Sequence, residues 1–194
     1  MTSDWLYKHS TITKPFAVYP KYLEILAGKE SERLIQAELI APNILTATDS
    51  VVVTLTIAMD TVLADSASDH DPIFGISDGA SFVGFVAIDK NNYGNGVPCY
   101  DYEGDIKDNI LQNIVSDPTG KKVNSRHFSS EITVQIKPND QWGSCHTEHD
   151  EGYVRITNYQ HKLNLTKGLY FEMYRHDAAE KYHIQYIAAE VHLD

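Results

Sequence analysis

Val51 to Met59 alternates Val51, Val53, Leu55, Ile57 and Met59 with Val52, Thr54, Thr56 and Ala58. Successive side chains of an extended chain point to opposite faces, so this period of two predicts a strand with one face fully buried. The β-branched residues favour the same conformation. Glu131-Ile132-Thr133-Val134-Gln135-Ile136-Lys137 repeats the alternation without a fault, which sends Ile132, Val134 and Ile136 to a core and the charged residues to water.

Other segments agree. Ile73 to Ile76, the turn Ser77-Asp78-Gly79-Ala80 and Ser81 to Ile88 read as a hairpin, because Asp-Gly tolerates positive φ. Phe82, Val83, Phe85, Val86 and Ile88 leave the second strand no polar face, so it belongs in the middle of a sheet, covered on both sides, or beside a ligand cleft. Tyr22 to Leu26 and Leu34 to Ile40 flank a polar stretch and read as a second hairpin, the first run alternatively beginning a short helix. Asp105 to Val115 spaces Ile106, Ile110 and Ile114 by four and predicts the one helix, with Asp105 as its N-cap. Gly152 to Thr157, Tyr159 to Leu165, Leu169 to Arg175 and Tyr182 to Leu193 read as a closing meander of strands.

About ten or more strands with at most one or two short helices define an all-β chain. The expected fold is a two-sheet antiparallel sandwich or jelly roll, forming a single domain over residues 1–194; an up-and-down barrel is the rival. A chain of 194 residues is long enough to bury a core without staples.

Charge narrows the partners. Sixteen basic against 27 acidic residues give a formal charge of −11, which repels phosphate backbones and excludes nucleic acid as the natural partner. No run approaches the roughly 18 apolar residues that span a bilayer, and the opening Met-Thr-Ser-Asp-Trp lacks a signal-peptide layout. A soluble protein without membrane insertion is expected, its compartment undecided. Cys99 and Cys145 fit a disulfide between two loops and fit two free thiols equally well. Asn164-Leu165-Thr166 is a glycosylation sequon, placed within an expected strand or at its end.

The loops hold the candidate functional residues. Tyr93, Tyr100, Tyr102 and Trp142 lie where core packing does not require aromatic rings, and exposed rings stack on sugar faces. Asn91, Asn92, Asn95 and Asp101 beside them offer hydrogen bonds to hydroxyls. The plainer reading folds these rings over the ends of the sandwich. Asp65, Asp69, His70, Asp71 and Asp78 gather oxygen ligands of the kind calcium takes, although Asp also simply favours turns. Cys145, His146, His149 and Asp150 have a zinc-like composition without the usual spacing. No Gly-x-Ser-x-Gly elbow marks a nucleophile. His161, His183 and His192 read as exposed strand residues. Tyr170, Tyr174, Tyr182 and Tyr186 would form an aromatic patch on the terminal hairpin, suited to a homo-oligomer.

Asp71-Pro-Ile-Phe-Gly-Ile-Ser-Asp-Gly-Ala-Ser-Phe-Val-Gly-Phe, with Gly168-Leu-Tyr-Phe-Glu-Met-Tyr-Arg, resembles the concanavalin A-like lectin and glucanase superfamily. The resemblance implies a curved sandwich whose concave face or loop tips bind sugars or peptides, sometimes with calcium. The Glu-x-Asp-x-x-Glu motif of its retaining glucanases, with carboxylates about 5.5 Å apart, is missing; the nearest acidic run is Glu148-His149-Asp150-Glu151. The resulting expectation is a non-enzymatic carbohydrate-binding module. Trp142 and Tyr100 would stack on the sugar, Asn91, Asn92 and Asp78 would bond it, and Asp69 and Asp71 would hold calcium. The alternatives are a carrier of an apolar small molecule, such as a pigment or lipid, between the sheets and a glycoside hydrolase on the same scaffold.

Overall fold

The computed structural model describes residues 10–12, 16–18, 23–26, 28–29, 32–62, 70–88, 99–106, 110–114, 129–147, 153–175 and 181–193. Among them are fourteen strands in two seven-stranded antiparallel sheets. Sheet A runs β1 (Ser10–Ile12), β4 (Arg33–Ile40), β13 (Leu169–Tyr174), β6 (His70–Ser77), β7 (Ser81–Ile88), β8 (Cys99–Asp105), β9 (Ile110–Ile114). Sheet B runs β12 (Tyr153–Asn158), β11 (Trp142–Thr147), β10 (Ser129–Lys137), β5 (Val51–Val62), β14 (Lys181–Leu193), β3 (Leu23–Ile25), β2 (Phe16–Val18). The expected two-sheet sandwich is the observed architecture.

The period-two segments form the middle of sheet B. β5 lies between β10 and β14, and Val51, Val53, Leu55 and Ile57 are buried to 1% exposure or less. Val134 and Ile136 of β10 join them in the core. Across the sandwich stand Phe74 and Ile76 from β6, Val83 and Phe85 from β7, and Phe171 and Met173 from β13, in the same apolar cluster. Each such side chain contributes about 1.5–3 kcal/mol by leaving water, before conformational entropy is set against it.

The Asp-Gly hairpin forms as expected between β6 and β7. Gly79 takes φ +86°, a value side-chain-bearing residues rarely adopt. Asp78 fastens the turn, its Oδ1 accepting from the backbone N–H groups of Ala80 and Ser81, each at 2.8 Å. Central β7 is covered on both faces at Phe82, Val83 and Phe85, all of them buried.

Five expectations fail, and where strands form, long-range pairing outweighs short-range pattern. Residues 110–114 are not helical; Ile110–Ile114 forms edge strand β9 against β8, and its two isoleucines suit a strand as well as a helix stripe. β3 and β4 are not a hairpin, because β3 pairs with β14 in sheet B while β4 joins sheet A. Tyr159 to Leu165 is no strand. It is an irregular crossing that buries Tyr159, Leu163 and Leu165 and ends in a 3-10 turn, Leu165–Lys167. The chain therefore closes by alternating sheets rather than as a meander, and Tyr170 and Tyr174 on β13 stand in a different sheet from Tyr182 and Tyr186 on β14. The four tyrosines therefore do not share one terminal hairpin.

Residues 159–161 are tied down from both sides. Gln141 donates Nε2–H to the carbonyls of Tyr159 and Gln160 at 3.0 and 2.8 Å. Tyr159 donates its hydroxyl to the Gly84 carbonyl at 2.9 Å and meets Phe85 edge-on at 6.0 Å. Buried Glu103 accepts from the N–H groups of Gln160 and His161 at 2.7 and 2.9 Å. Cys145 on β11 is fully buried and disulfide-bonded, and the sequence offers one partner for it, Cys99, which opens β8 in sheet A. Both cysteines lie on strands, not in the expected loops.

Candidate functional site

β13 turns Leu169, Phe171 and Met173 into the core, so alternation carries Tyr170, Glu172 and Tyr174 to the outer face of sheet A. An outer-face carboxylate normally meets water. Glu172 instead has no exposed side-chain surface, and a buried charge requires partners. Its Oε1 accepts from Gln36 Nε2 at 2.7 Å and from Arg33 Nη1 at 3.2 Å, and Oε2 accepts from the Tyr174 hydroxyl.

A register shift makes this possible. β13 pairs Met173 with Ile35 but Tyr174 with Arg33, skipping Leu34. A bulge of this kind re-aims the side chains beyond it, so Arg33 arrives on the same face as Gln36 while Leu34 and Ile35 are both buried.

Next to Glu172 the face narrows. Glu172 pairs with Gly75, and Gly75 with Gly84. A Cβ on Gly84 would lie 2.3 Å from the Phe74 carbonyl oxygen and 2.8 Å from the Gly75 Cα. Only glycine permits that backbone approach. The Phe82 ring stands over the pair of glycines and meets Tyr174 edge-on at 5.3 Å. Ile73, Phe82 and Tyr174 make a small buried cluster of their own.

Burial, then the Glu172 charge and its hydrogen bond, hold the Tyr174 hydroxyl well above the ordinary phenol range. Tyr174 therefore stays a proton donor to Glu172 at neutral pH. Arg33 remains one-third exposed. Its guanidinium donates from Nη1 to Glu172 and also interacts with the Tyr174 hydroxyl. Half-buried Gln36 and Tyr170 and exposed Glu38 continue the surface along the rows Gln36–Glu172 and Glu38–Tyr170. Chemically this is a rigid sheet face with aimed donors, an acceptor and a ring.

The sequence-predicted residues are distributed differently. Asp78 is 5% exposed, and its second oxygen accepts from Asn164 N–H at 2.8 Å; with Oδ1 already engaged, the carboxylate is committed to the turn. Trp142 opens β11 in sheet B, half-buried, with Lys137 Nζ 5.8 Å from its ring centroid. Tyr100 lies on β8 in sheet A rather than in a loop, at the end of the register row Tyr174–Ile73–Val86–Tyr100. Trp142 and Tyr100 are thus in different sheets. Tyr102 and Asp101 are also on β8. Asn91, Asn92, Tyr93 and Asn95 lie outside the described residues, as do Asp65 and Asp69 of the calcium set. Asp71 is on β6.

Among the described residues no group of three His, Cys, Asp or Glu side chains is placed to hold a metal. A disulfide-bonded Cys145 is no zinc thiolate, which removes one of the four zinc candidates; His149 and Asp150 lie outside the described residues. His161 is off the strands, its Nδ1 3.4 Å from Glu103. His183 and His192 are on β14, and exposed His192 stands 3.3 Å from Glu190. Sequence reasoning missed Arg33, Gln36 and Glu172. The available signal was a lone carboxylate in the apolar run Leu169–Tyr174.

No family model and no curated protein matches the chain. Solved structures do. The chain is similar to peanut lectin in complex with a nonapeptide, at TM-score 0.51 and 10% identity over 96% of this chain and 92% of that one. A Lotus tetragonolobus seed lectin aligns at TM-score 0.50 and 8% identity, covering 96% and 94%. An alginate lyase of polysaccharide lyase family 7 aligns at TM-score 0.51 and 13% identity over 100% and 89%. At these identities the likeness is one of fold: the chain has the concanavalin A-like two-sheet sandwich shared by seed lectins and a polysaccharide lyase.

Proposed function

We propose that this protein binds carbohydrate on the outer face of sheet A. The observation that carries the reading is the buried Glu172 carboxylate, which fixes Arg33 and Gln36 side by side on a rigid sheet. Preoriented N–H donors bind hydroxyl or carboxylate oxygens without ordering cost at the moment of binding. Tyr170 supplies a ring and Glu38 an acceptor along the same rows. The lectin-like fold supports the ligand class.

Tyr100 lies on β8 of the same sheet, and its proposed stacking role is retained. Asn91 and Asn92, and calcium on Asp69 and Asp71, remain part of the proposal. Trp142 is a separate candidate on sheet B, with Lys137 over one side of its ring. The apolar-carrier alternative draws less support, because Val83 and Phe85 of β7 are spent in the core between the sheets and Phe82 against Tyr174.

A glycan array read with and without calcium tests the reading. Retained oligosaccharides whose binding falls at least tenfold in Arg33→Ala and Gln36→Ala support it. A blank array in both conditions, or binding lost in Trp142→Ala and kept in Arg33→Ala, overturns it.

A further inference from the structure

The sequon Asn164-Leu165-Thr166 is not in a strand but in the 3-10 turn after the 159–164 crossing, where Asn164 is the exposed N-cap residue. Its bonding separates the two ends of the amide. Oδ1 accepts from Thr166 Oγ1 at 2.7 Å and from Thr166 N–H at 3.2 Å. The backbone N–H goes to Asp78 Oδ2 at 2.8 Å and the carbonyl accepts from Lys167 N–H at 3.0 Å. Among the described residues Nδ2 makes no hydrogen bond. The flanking Lys162 and Lys167 are exposed, whereas Leu163 and Leu165 point into the core. The turn therefore presents Asn164 outward while its neighbours anchor it.

We infer that Asn164 is an acceptor for N-linked glycan. The reaction joins Nδ2 to C1 of the first sugar of a lipid-linked pyrophosphoryl oligosaccharide. The C1–O bond breaks, its electron pair leaves on the lipid pyrophosphate, and one Nδ2 proton passes to a base of the transferase. The product keeps Oδ1 and its two bonds to Thr166, so the glycan is accommodated without loss of the turn. A second observation points to the same compartment. Cys145 is disulfide-bonded in the core between the sheets, and stable disulfides form in the oxidising lumen where N-glycans are added.

The test is translation of the full chain behind a cleavable secretory leader in the presence of microsomes, reading only the protease-protected product. The expected result is a band shifted by one oligosaccharide, collapsed by peptide N-glycosidase, absent in Asn164→Gln and in Thr166→Val, and present in Thr166→Ser. Thr166→Ser keeps the hydroxyl, so a misfolded variant cannot imitate the pattern. Protected wild-type chains that run unshifted overturn the inference, as does a shift that survives Asn164→Gln.

Discussion

Among the described residues each of the two sheets has seven strands, yet they treat their outer faces differently. Sheet B is amphipathic in the ordinary way: the inner residues of β5 and β10 are buried, while Thr54, Thr56 and Gln135 are half-buried and Glu190 of β14 is exposed. Sheet A is buried on both sides along β13, β6 and β7, where Glu172, Phe82, Ser77 and Tyr174 on the outer side are 3% exposed or less. A face that hides a carboxylate and abuts two glycines is costly to build unless the arrangement is used. The difference is the reason for placing the proposed ligand on sheet A.

Truncations should separate the two faces by size. Glu172→Ala leaves the Arg33 charge unpaired and the Tyr174 hydroxyl without its acceptor, and is expected to cost about 3 kcal/mol in denaturant unfolding, allowing for the partial exposure of Arg33. Gly84→Ala forces β6 and β7 apart and should cost about 2 kcal/mol by the same measurement. Tyr174→Phe should cost about 1.5 kcal/mol at neutral pH. At the small end, Glu190→Ala on sheet B should change stability by less than about 0.5 kcal/mol. Equal losses at Glu172 and Glu190 would erase the contrast between the faces.

Tyr174 also sharpens it through pH. Its phenol is raised in the fold, so the folded chain keeps a proton that the unfolded chain releases. The stabilisation is complete below the ordinary phenol value of about 10 and declines above it, by about 1.4 kcal/mol per pH unit. Unfolding midpoints measured from pH 8 to 11 should fall at the alkaline end in the wild type, and this contribution should vanish in Tyr174→Phe.

What the sequence made legible follows the same division. β5 and β10 were readable because a sheet with one wet face writes period two into the chain, and the β6–β7 hairpin because Asp78-Gly79 encodes its own turn. The segment Ile110–Ile114 was misread because spacing by four fits a helix stripe, and only pairing with β8 selects the strand. The Glu172 cluster was not readable. Its members are brought together by pairing across sequence separations of 139 and 136 residues and by a bulge at Leu34 that no local pattern announces. The candidate residues named from loops met the opposite difficulty: Asp78 has a site-like composition, but its oxygens are occupied by three backbone N–H groups.

The claim that sheet A carries the ligand is tested most directly by backbone amide chemical shifts recorded while titrating an oligosaccharide retained by the array. Perturbations concentrated on Arg33–Gln36, Gly75 and Tyr170–Tyr174 are the predicted result. Perturbations confined to Lys137, Trp142 and Asn158 on sheet B would contradict the account.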